Sequence, residues 1–179
     1  SQTLSALIKQ NIVDASMPFL PEQIQPASLD LRLGFKAWRI QASFLPGAES
    51  KVADKLDKFA LHELDLKKGA VLEKGCVYLV ELLENLNLPD NLSGMANPKS
   101  STGRLDVFTR LITDYACEFE TVGAGYSGPL YAEISPCTFS VLVRTGSRLS
   151  QLRLRSGALS IDDRELHSLQ LSFGLVSSN

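Results

Sequence analysis

Residues 28–34 read Ser-Leu-Asp-Leu-Arg-Leu-Gly, and this stretch indicates the fold more clearly than any other. Leucine alternates with polar residues, which is the two-residue period of a β-strand that packs one face on a core. We therefore predict a half-buried strand with Leu29, Leu31 and Leu33 on its inner side. The extended conformation is expected to continue over residues 35–44, until a Pro-Gly pair turns the chain.

Further short apolar stretches follow, separated by Gly, Pro, Ser and Asn. Residues 76–83, Cys-Val-Tyr-Leu-Val-Glu-Leu-Leu, are predicted to form a buried strand. The other strand predictions cover residues 64–66, 70–72, 92–96, 105–113, 130–135, 139–143 and 149–154. Many short strands with turns between them and little helix indicate one mainly β domain over residues 1–179, a distorted jelly roll or β-barrel.

Helices are expected only at the periphery of this domain. Residues 1–10 place apolar side chains at helical spacing, within a helical N-terminal segment that spans residues 1–20. Residues 50–61 are charged and compatible with a second helix. A third is predicted over residues 162–171, capped by Ser160 or Asp162, within a tail that spans residues 156–179.

Composition excludes several classes of protein. Of the 179 residues, 44% are hydrophobic and 21% charged, with a net charge of −2. This charge gives no basic surface for a nucleic acid polymer, so any anion must bind at a local cluster. We expect no membrane span, because no run of about 18 apolar residues occurs, and no secretory signal. Three widely spaced cysteines indicate reduced thiols and a cytoplasmic protein.

The most unusual stretch is residues 97–104, Asn-Pro-Lys-Ser-Ser-Thr-Gly-Arg. It combines two cations, three hydroxyls and a glycine, which are groups that together bind phosphate oxygens. It is not a P-loop, because the order Gly-x-x-x-x-Gly-Lys is absent. Composition alone favours a simpler alternative, in which a solvated turn leads into a helix with Ser100 or Ser101 as its N-cap.

Glu133 lies in a predicted strand that follows a glycine-rich loop at residues 122–129. The glycines allow the backbone to approach a ligand closely. A carboxylate in an apolar strand is either buried with a partner or exposed to solvent, and the exposed alternative is at least as consistent with the residues. Gln151 is open to two interpretations as well. Its amide could form hydrogen bonds with the edge of a base, or the residue could be an ordinary half-exposed member of a strand.

Taken in order, four segments resemble the dCTP deaminase branch of the dUTPase superfamily. They are residues 25–34 (QPASLDLRLG), residues 88–89 (LP) with residues 99–104 (KSSTGR), residues 125–128 (GYSG) with a glutamate five residues later, and residues 150–152 (SQL). Each segment is short, but the four occur in the same order as in that family over roughly residues 20–155. Within this family the chain is most similar to the N-terminal half of the long, two-half bacterial form.

The resemblance implies a dUTPase-like, β-clip fold and a homotrimer or pseudo-trimer with sites shared between neighbours. It also implies metal-free hydrolytic deamination of dCTP to dUTP and ammonia, with Glu133 as the proton carrier. Ser100 would orient the attacking water or the exocyclic amine, and Arg104 would stabilise charge and hold Glu133 in place. The residues implied to bind substrate are Lys99, Ser101, Thr102, Gly103, Tyr131 and Gln151.

No tightly bound cofactor is expected. The zinc-dependent route to the same chemistry uses the motifs H-x-E and P-C-x-x-C. Neither occurs, because His62 is followed directly by Glu63 and Cys137 has no second cysteine three residues on. Mg²⁺ is expected only as the companion of a triphosphate.

The chain departs from the family pattern at several places. Gly123 stands where the family has an aspartate, which in dUTPases serves the hydrolytic water, and Thr121 replaces an arginine. The deaminases close over the nucleotide with a tail that carries Tyr, Lys and Gln, and residues 156–179 do not contain such a set. Candidates to replace the missing groups are Arg110, Asp114 and Glu118. Two alternatives stay open: a dUTP pyrophosphatase, which Gly123 disfavours, and a non-catalytic nucleotide-binding or trimerisation module, which Glu133 disfavours.

Overall fold

The structure is a computed structural model that describes residues 2–157 and 162–174. Its strands are β1 (Val13–Ala15), β2 (Leu29–Ile40), β3 (Ala60–Asp65), β4 (Ala70–Leu72), β5 (Val77–Asn87), β6 (Leu92–Pro98), β7 (Val107–Thr113), β8 (Thr121–Val122), β9 (Ser127–Pro136), β10 (Val141–Val143) and β11 (Arg148–Ser156). Its helices are α1 (Gln2–Lys9), α2 (Val52–Phe59), α3 (Ser100–Arg104) and α4 (Asp163–Phe173), with a 3₁₀ helix at Pro21–Gln23.

Nine of the described strands form one curled sheet. Its order is β7-β9-β5-β2-β11-β6-β8, with β1 added to β5 and β3 added to β2. Strands β6 and β8 also lie against β7, so the two ends of the sheet approach each other. This almost closed sheet confirms the predicted mainly β, barrel-like fold with short peripheral helices. Strands β4 and β10 form a separate two-stranded ribbon.

Each segment predicted as a strand overlaps one, although β3 begins at Ala60, inside the segment predicted as a helix. The structure pairs two of these strands in a way that the sequence does not reveal. Strands β3 and β4 are separated by only a short turn, yet they do not pair with each other. Instead, β3 pairs with β2 and β4 pairs with β10. Sequence periodicity reports which residues share a face of a strand and says nothing about its neighbour.

The prediction that residues 28–34 form a strand is confirmed, but the prediction that this strand is only half-buried is wrong. Asp30 and Arg32, which alternate with the leucines, are 1% and 2% exposed. Residues from distant segments cover this polar face: Lys99 forms an ion pair with Asp30, while the carbonyls of Met17 and Pro18 accept hydrogen bonds from Arg32. The polar face is therefore a second interior.

A buried ion pair holds the N-terminal segment on this second interior. Glu84 on β5 accepts hydrogen bonds of 2.7 Å from the side-chain Nε and the backbone N–H of Arg32. The amide of Gln23 donates to the same carboxylate, also at 2.7 Å. A buried charge is tolerated only when it is paired and hydrogen-bonded, and this carboxylate meets both conditions.

Gly34 follows the alternating stretch and is required by the close approach of β2 to β5. A Cβ at this position would lie 2.4 Å from the carbonyl oxygen of Glu81. The register between β2 and β5 also shifts between Leu33 and Ala37. The glycine thus allows an irregularity through which β2 changes its pairing.

Two hydrophobic clusters lie inside the fold. The larger one contains Leu29, Leu31 and Leu33 together with apolar residues of β5, β6, β7, β9 and β11. The smaller one lies beneath α2 and includes Val52 and Phe44, whose ring stacks on that of Phe59 with 4.8 Å between the ring centroids. These clusters fix the strands that carry the polar residues described below.

The helices predicted within residues 1–10 and 162–171 are confirmed where the structure describes them, but the prediction that residues 1–20 form one helical segment is wrong, because Val13–Ala15 pair with β5 as strand β1. The side chain of Asp162 accepts a hydrogen bond from the backbone N–H of Glu165, so Asp162 caps α4. The alternative cap, Ser160, lies outside the described residues. Among the described helices, none has the length and apolar character needed to cross a membrane.

Candidate active site

Glu133 lies in the middle of the main sheet. Its strand, β9, pairs with β5 on one side and with β7 on the other, which places Glu133 between Leu79 and Arg110. The residue is 2% exposed. The interpretation of Glu133 as a solvent-facing strand residue is therefore wrong, because its side chain is buried on a face of the sheet.

Arg110 is the partner of this buried carboxylate. Its Nε and Nη2 atoms lie 3.1 and 2.5 Å from Oε1 of Glu133. Nη2 also donates to the hydroxyl of Ser43 at 2.7 Å. The guanidinium carbon lies 3.6 Å from the ring centroid of Phe119 and 4.9 Å from that of Phe108. Arg110 is thus held by two aromatic rings and a hydroxyl as well as by the carboxylate.

The second oxygen of Glu133 differs from the first. Oε2 is buried and has no hydrogen-bond partner among the described residues. A buried acceptor without a partner costs about 1–3 kcal/mol. Proteins retain such groups where a ligand, water or reacting group meets them, so this atom marks a candidate site.

A second carboxyl group, that of Glu120, lies near Arg110. Burial raises the pKa of Glu120 from 4.5 to about 7, while a hydrogen bond from the backbone of Leu111 and the charge of Arg110 act in the opposite direction. Oε1 accepts that hydrogen bond at 3.2 Å, and Oε2 is buried with no hydrogen-bond partner in the described part of the chain. The region around Arg110 therefore holds a second carboxyl that changes charge near neutral pH.

The loop between β7 and β9 is braced by Tyr126. Its hydroxyl donates to the carbonyl of Pro129 at 2.5 Å and accepts from the backbone N–H of Asp114 at 3.2 Å. Gly125 has φ 73°, and a Cβ there would lie 2.6 Å from Oδ1 of Asp90. The glycine and tyrosine of the segment at residues 125–128 thus set the shape of this loop.

An open pocket of about 580 Å³ lies at the loop end of the β7–β9 pair. It is lined by Thr113, Asp114, Glu118, Gly123 and Tyr126, among others. Glu133 is not among the residues that line this pocket, although Ser127, the first residue of the same strand β9, is. The pocket has the size of a small-ligand site.

The hydroxyl-rich segment forms a helix rather than a loop. Ser100 begins α3 and Arg104 ends it, and both are exposed. The expected N-cap at Ser100 or Ser101 is wrong, because Lys99 occupies that position. Thr102 is buried, whereas Ser101 and Gly103 are exposed.

Asp30 gathers polar side chains next to this helix. Its Oδ2 forms an ion pair with Nζ of Lys99 and lies 3.8 Å from Nη1 of Arg148. Gln151 lies opposite Asp30 in the sheet and accepts a hydrogen bond of 2.9 Å from the hydroxyl of Ser28. Oδ1 of Asp30 is buried, and no residue that the structure describes forms a hydrogen bond with it. We call these five residues the Asp30 cluster.

The structure thus brings together only some of the predicted site residues. Lys99 and Gln151 meet in the Asp30 cluster. Within the described residues, no hydrogen bond or ion pair joins Glu133 to residues 99–104, and the side chain of Arg104 donates one hydrogen bond, of 3.4 Å, to the backbone carbonyl of Ser100. The glutamate and the basic helix are therefore separate centres in a single chain.

Tyr131 occupies a different environment from the other predicted residues. Its side chain is 7% exposed and belongs to the smaller hydrophobic cluster. Burial and the nearby charges of Asp114 and Glu81 raise the pKa of Tyr131 above its usual value, so the phenol keeps its proton.

Sequence reasoning assigned no role to Asp30 or Glu120 and did not pair Arg110 with Glu133. Of the three candidate replacements, Arg110 contacts Glu133, Asp114 accepts a hydrogen bond of 2.8 Å from the first residue of α2, and Glu118 lies exposed at the pocket. Asp30 could have been recognised from the sequence, because it is a charged residue that alternates with the leucines of a strand. No comparable signal distinguished Arg110 or Glu120.

Fold and site together define an almost closed β-barrel domain in which a buried carboxylate lies apart from a basic, hydroxyl-rich helix. Residues 1–158 match the family described as the 2'-deoxycytidine 5'-triphosphate deaminase (DCD) N-terminal domain. The chain belongs to this dCTP deaminase family.

Individual relatives agree with this assignment. The crystal structure of 2'-deoxycytidine 5'-triphosphate deaminase from Agrobacterium tumefaciens is 53% identical with a TM-score of 0.86, and the match covers 99% of this chain and 52% of that chain. The dCTP deaminase of Haloarcula marismortui is 32% identical over 133 residues, 73% of this chain and 65% of the relative. A "dCTP deaminase, dUMP-forming" of Corynebacterium glutamicum is 30% identical over 141 residues, 76% of this chain and 69% of the relative. The chain thus spans about half the length of the Agrobacterium protein.

Proposed function

We propose that this domain takes part in the hydrolytic deamination of dCTP to dUTP and ammonia, with Glu133 as the residue that moves the protons. Membership of the dCTP deaminase family supports the substrate and the reaction. The observation that carries the assignment of Glu133 is its position: a buried carboxylate with one oxygen held by Arg110 and the other without a partner. Such an environment is typical of a carboxylate that acts as a general base and acid.

The reaction needs one group that can both take and give a proton. Water attacks C4 of the cytosine ring, and Glu133 accepts the proton that the water loses. The carboxyl returns this proton to N3, then assists the transfer of the second hydroxyl proton to the exocyclic amine. The C4–N bond breaks with its electron pair on nitrogen, which leaves as ammonia. General acid–base help of this kind contributes about 10²–10⁴ in rate.

The remaining groups are proposed to come from a neighbouring subunit or half. Ser100 and Arg104 are exposed, and in the part of the chain that the structure describes neither forms a hydrogen bond or ion pair with Glu133. Two such domains placed side by side would bring α3 of one to β9 of the other, as in a trimer or pseudo-trimer. Lys99, Ser101, Thr102, Gly103 and Gln151 would then bind the nucleotide, whose triphosphate would carry Mg²⁺ on its own oxygens.

Nucleotide binding has to open the surroundings of Glu133. Oε2 has no exposed surface in the single chain, so neither water nor substrate reaches it without displacing atoms around it. Such displacement also excludes bulk water from the reacting ring, which strengthens the electrostatic interactions there.

The proposed product is dUTP rather than dUMP. Relatives with both kinds of name occur, "dCTP deaminase" and "dCTP deaminase, dUMP-forming". Gly123 supports dUTP, because this exposed position offers no carboxylate for a second hydrolysis at the triphosphate. Formation of pyrophosphate in step with ammonia would identify dUMP as the product and reject this part of the proposal.

Ammonia release from dCTP tests the function directly. We expect turnover by the wild type and a loss of at least about 100-fold in Glu133→Gln, which keeps the shape but cannot carry the proton. The matched control is Glu63→Gln, another strand glutamate in an ion pair, whose side chain is 47% exposed. Equal rates in Glu133→Gln and the wild type would reject the role of Glu133. Binding of dCTP without turnover by any form would favour a nucleotide-sensing module.

Mixing inactive variants tests the shared site. If Glu133 and Ser100 of one site come from different chains, mixed assemblies of Glu133→Gln and Ser100→Ala contain some sites with both native residues. Activity is then expected to return after subunit exchange. If each site lies within one chain, the mixture stays as inactive as its components.

A further inference from the structure

Arg110 makes the two oxygens of Glu133 unequal. Both of its hydrogen bonds to Glu133 end on Oε1, at 3.1 and 2.5 Å, whereas a side-by-side pairing of guanidinium and carboxylate engages both oxygens. Oε2 is left buried and without a partner among the described residues. We propose that Arg110 is the positioning residue of the site: it fixes Oε1 as a permanent acceptor and leaves Oε2 as the atom that carries the proton. This inference rests on the proposed function of Glu133.

The surroundings of Arg110 are suited to this role because they hold the guanidinium independently of the substrate. Phe119 and Phe108 lie against the guanidinium, and Ser43 accepts a hydrogen bond from Nη2. Arg110 is also fixed at its backbone, since it pairs with Glu133 across β7 and β9. A group held in this way does not need to reorganise when charge develops on the reacting ring.

The asymmetry has a chemical consequence. A carboxyl that shuttles a proton must present the same oxygen to the water, to N3 and to the leaving amine in turn. If both oxygens were free, the group could rotate and place its proton away from the ring. Two hydrogen bonds to Oε1 prevent this rotation and keep the proton on the oxygen that has no other partner.

Glu120 supports the inference from the other side of Arg110. Burial raises the pKa of Glu120 to about 7, and Arg110 is the one ionisable side chain identified as acting on it. Its backbone N–H donates to the carbonyl of Leu111, so the residue is tied to the strand that carries Arg110. Among the described residues, Glu133 is the only carboxylate that forms an ion pair with this guanidinium.

A purely structural role for Arg110 predicts a different outcome from a positioning role. If Arg110 only compensates the buried charge, its loss lowers stability and leaves the catalytic constants of the folded fraction unchanged. If it positions Glu133, its loss lowers kcat, changes KM little and shifts the pH dependence of kcat.

The experiment compares dCTP turnover by the wild type, Arg110→Gln, Arg110→Lys and the control Arg39→Gln. Arg39 is also a strand arginine paired with a glutamate, Glu73, at 3.1 Å, but that carboxylate is 62% exposed. In Arg110→Gln we expect kcat to fall by at least about 30-fold and KM to change by less than about 3-fold. The acidic limb of the kcat profile is expected to move to higher pH. Arg110→Lys should restore part of kcat, since it returns the charge without the two-pronged contact.

Several outcomes would overturn the inference. The first is a kcat of Arg110→Gln within about 3-fold of the wild type with an unchanged pH profile. The second is a rise in kcat, which would mean that Arg110 withholds Glu133 from the substrate. The third is a rise in KM alone, which would make Arg110 a substrate contact. If Arg110→Gln does not fold, Arg110→Lys decides, and wild-type kinetics in that variant reject the inference. Absence of turnover by the wild type rejects the proposed function, and this inference with it.

Discussion

Glu84 accepts hydrogen bonds from both the backbone and the side chain of Arg32, and neither side chain of this pair is more than 3% exposed. The pair joins β5 to β2 and, through the carbonyls of Met17 and Pro18, fastens the N-terminal segment to the sheet. It lies apart from Arg110 and Glu133, so its contribution to stability can be measured separately from activity.

Replacing Arg32 with leucine is expected to lower the free energy of unfolding by about 3–5 kcal/mol, because the carboxylate of Glu84 would remain buried without its cation. Urea unfolding of the two proteins measures the difference. The control Arg39→Leu removes an exposed ion pair and should change the free energy of unfolding by about 0.5 kcal/mol or less. Equal losses in the two variants would contradict the importance of burial.

Gly34→Ala is expected to destabilise the protein by about 1–3 kcal/mol or more, because the added Cβ would lie 2.4 Å from the carbonyl oxygen of Glu81. Backbone atoms cannot move aside as the end of a flexible side chain can. The control is Gly123→Ala, where an added Cβ meets no atom within 4 Å. Thermal unfolding should show a clear decrease in Tm for the first variant and little change for the second.

Glu120 is expected to make stability depend on pH. Its folded-state pKa is raised from 4.5 to about 7, so between these values the unfolded chain releases a proton that the folded chain keeps. Stability therefore falls as pH rises through this window, and the full cost is present above pH 7. Glu120→Gln should be more stable than the wild type by about 1–2 kcal/mol at pH 8, a value reduced for partial exposure, and the difference should vanish near pH 4.5.

The matched control for this prediction is Glu118→Gln, which removes the same charge from an exposed position in the same loop. Urea unfolding at several pH values measures both variants. If the advantage of Glu120→Gln is the same at pH 4.5 and pH 8, titration of a buried carboxyl is not its cause.

Lys99→Met is expected to weaken binding of dCTP by about 10- to 100-fold and binding of deoxycytidine by less than about 3-fold, since only the triphosphate carries charge for Lys99 to bind. Loss of Lys99 would also leave Asp30 with less positive charge beside it, which adds repulsion. Calorimetric titration measures both ligands. The control Lys36→Met removes an exposed strand lysine from its ion pair with Glu63. Equal weakening of both ligands by Lys99→Met would reject a phosphate contact.

Most strands of the fold were predictable from the sequence, but β1 and β8 were not. The leucine alternation at residues 28–34, the apolar stretch at residues 76–83 and the punctuation by Gly and Pro correspond to observed strands and turns. Burial of the polar face of β2 was not predictable, because the groups that cover Asp30 and Arg32 come from distant parts of the chain.

The candidate site was predictable in its residue types and only partly in its arrangement. Periodicity placed Glu133 in a strand, and the composition of residues 99–104 marked a basic, hydroxyl-rich segment. The sequence did not reveal that Glu133 and residues 99–104 share no hydrogen bond or ion pair within the described part of one chain, nor that Oε2 of Glu133 has no partner there. Both depend on which strands become neighbours in the sheet.

By itself, the sequence determined the strand period, the turns and the chemical groups available, because these follow from local sterics and side-chain type. Tertiary structure alone decided that Glu133 would be buried and that its partner would be Arg110, 23 residues earlier in the chain. The reason is the register of β7 with β9, since a slip of one residue would turn Arg110 to the opposite face of the sheet.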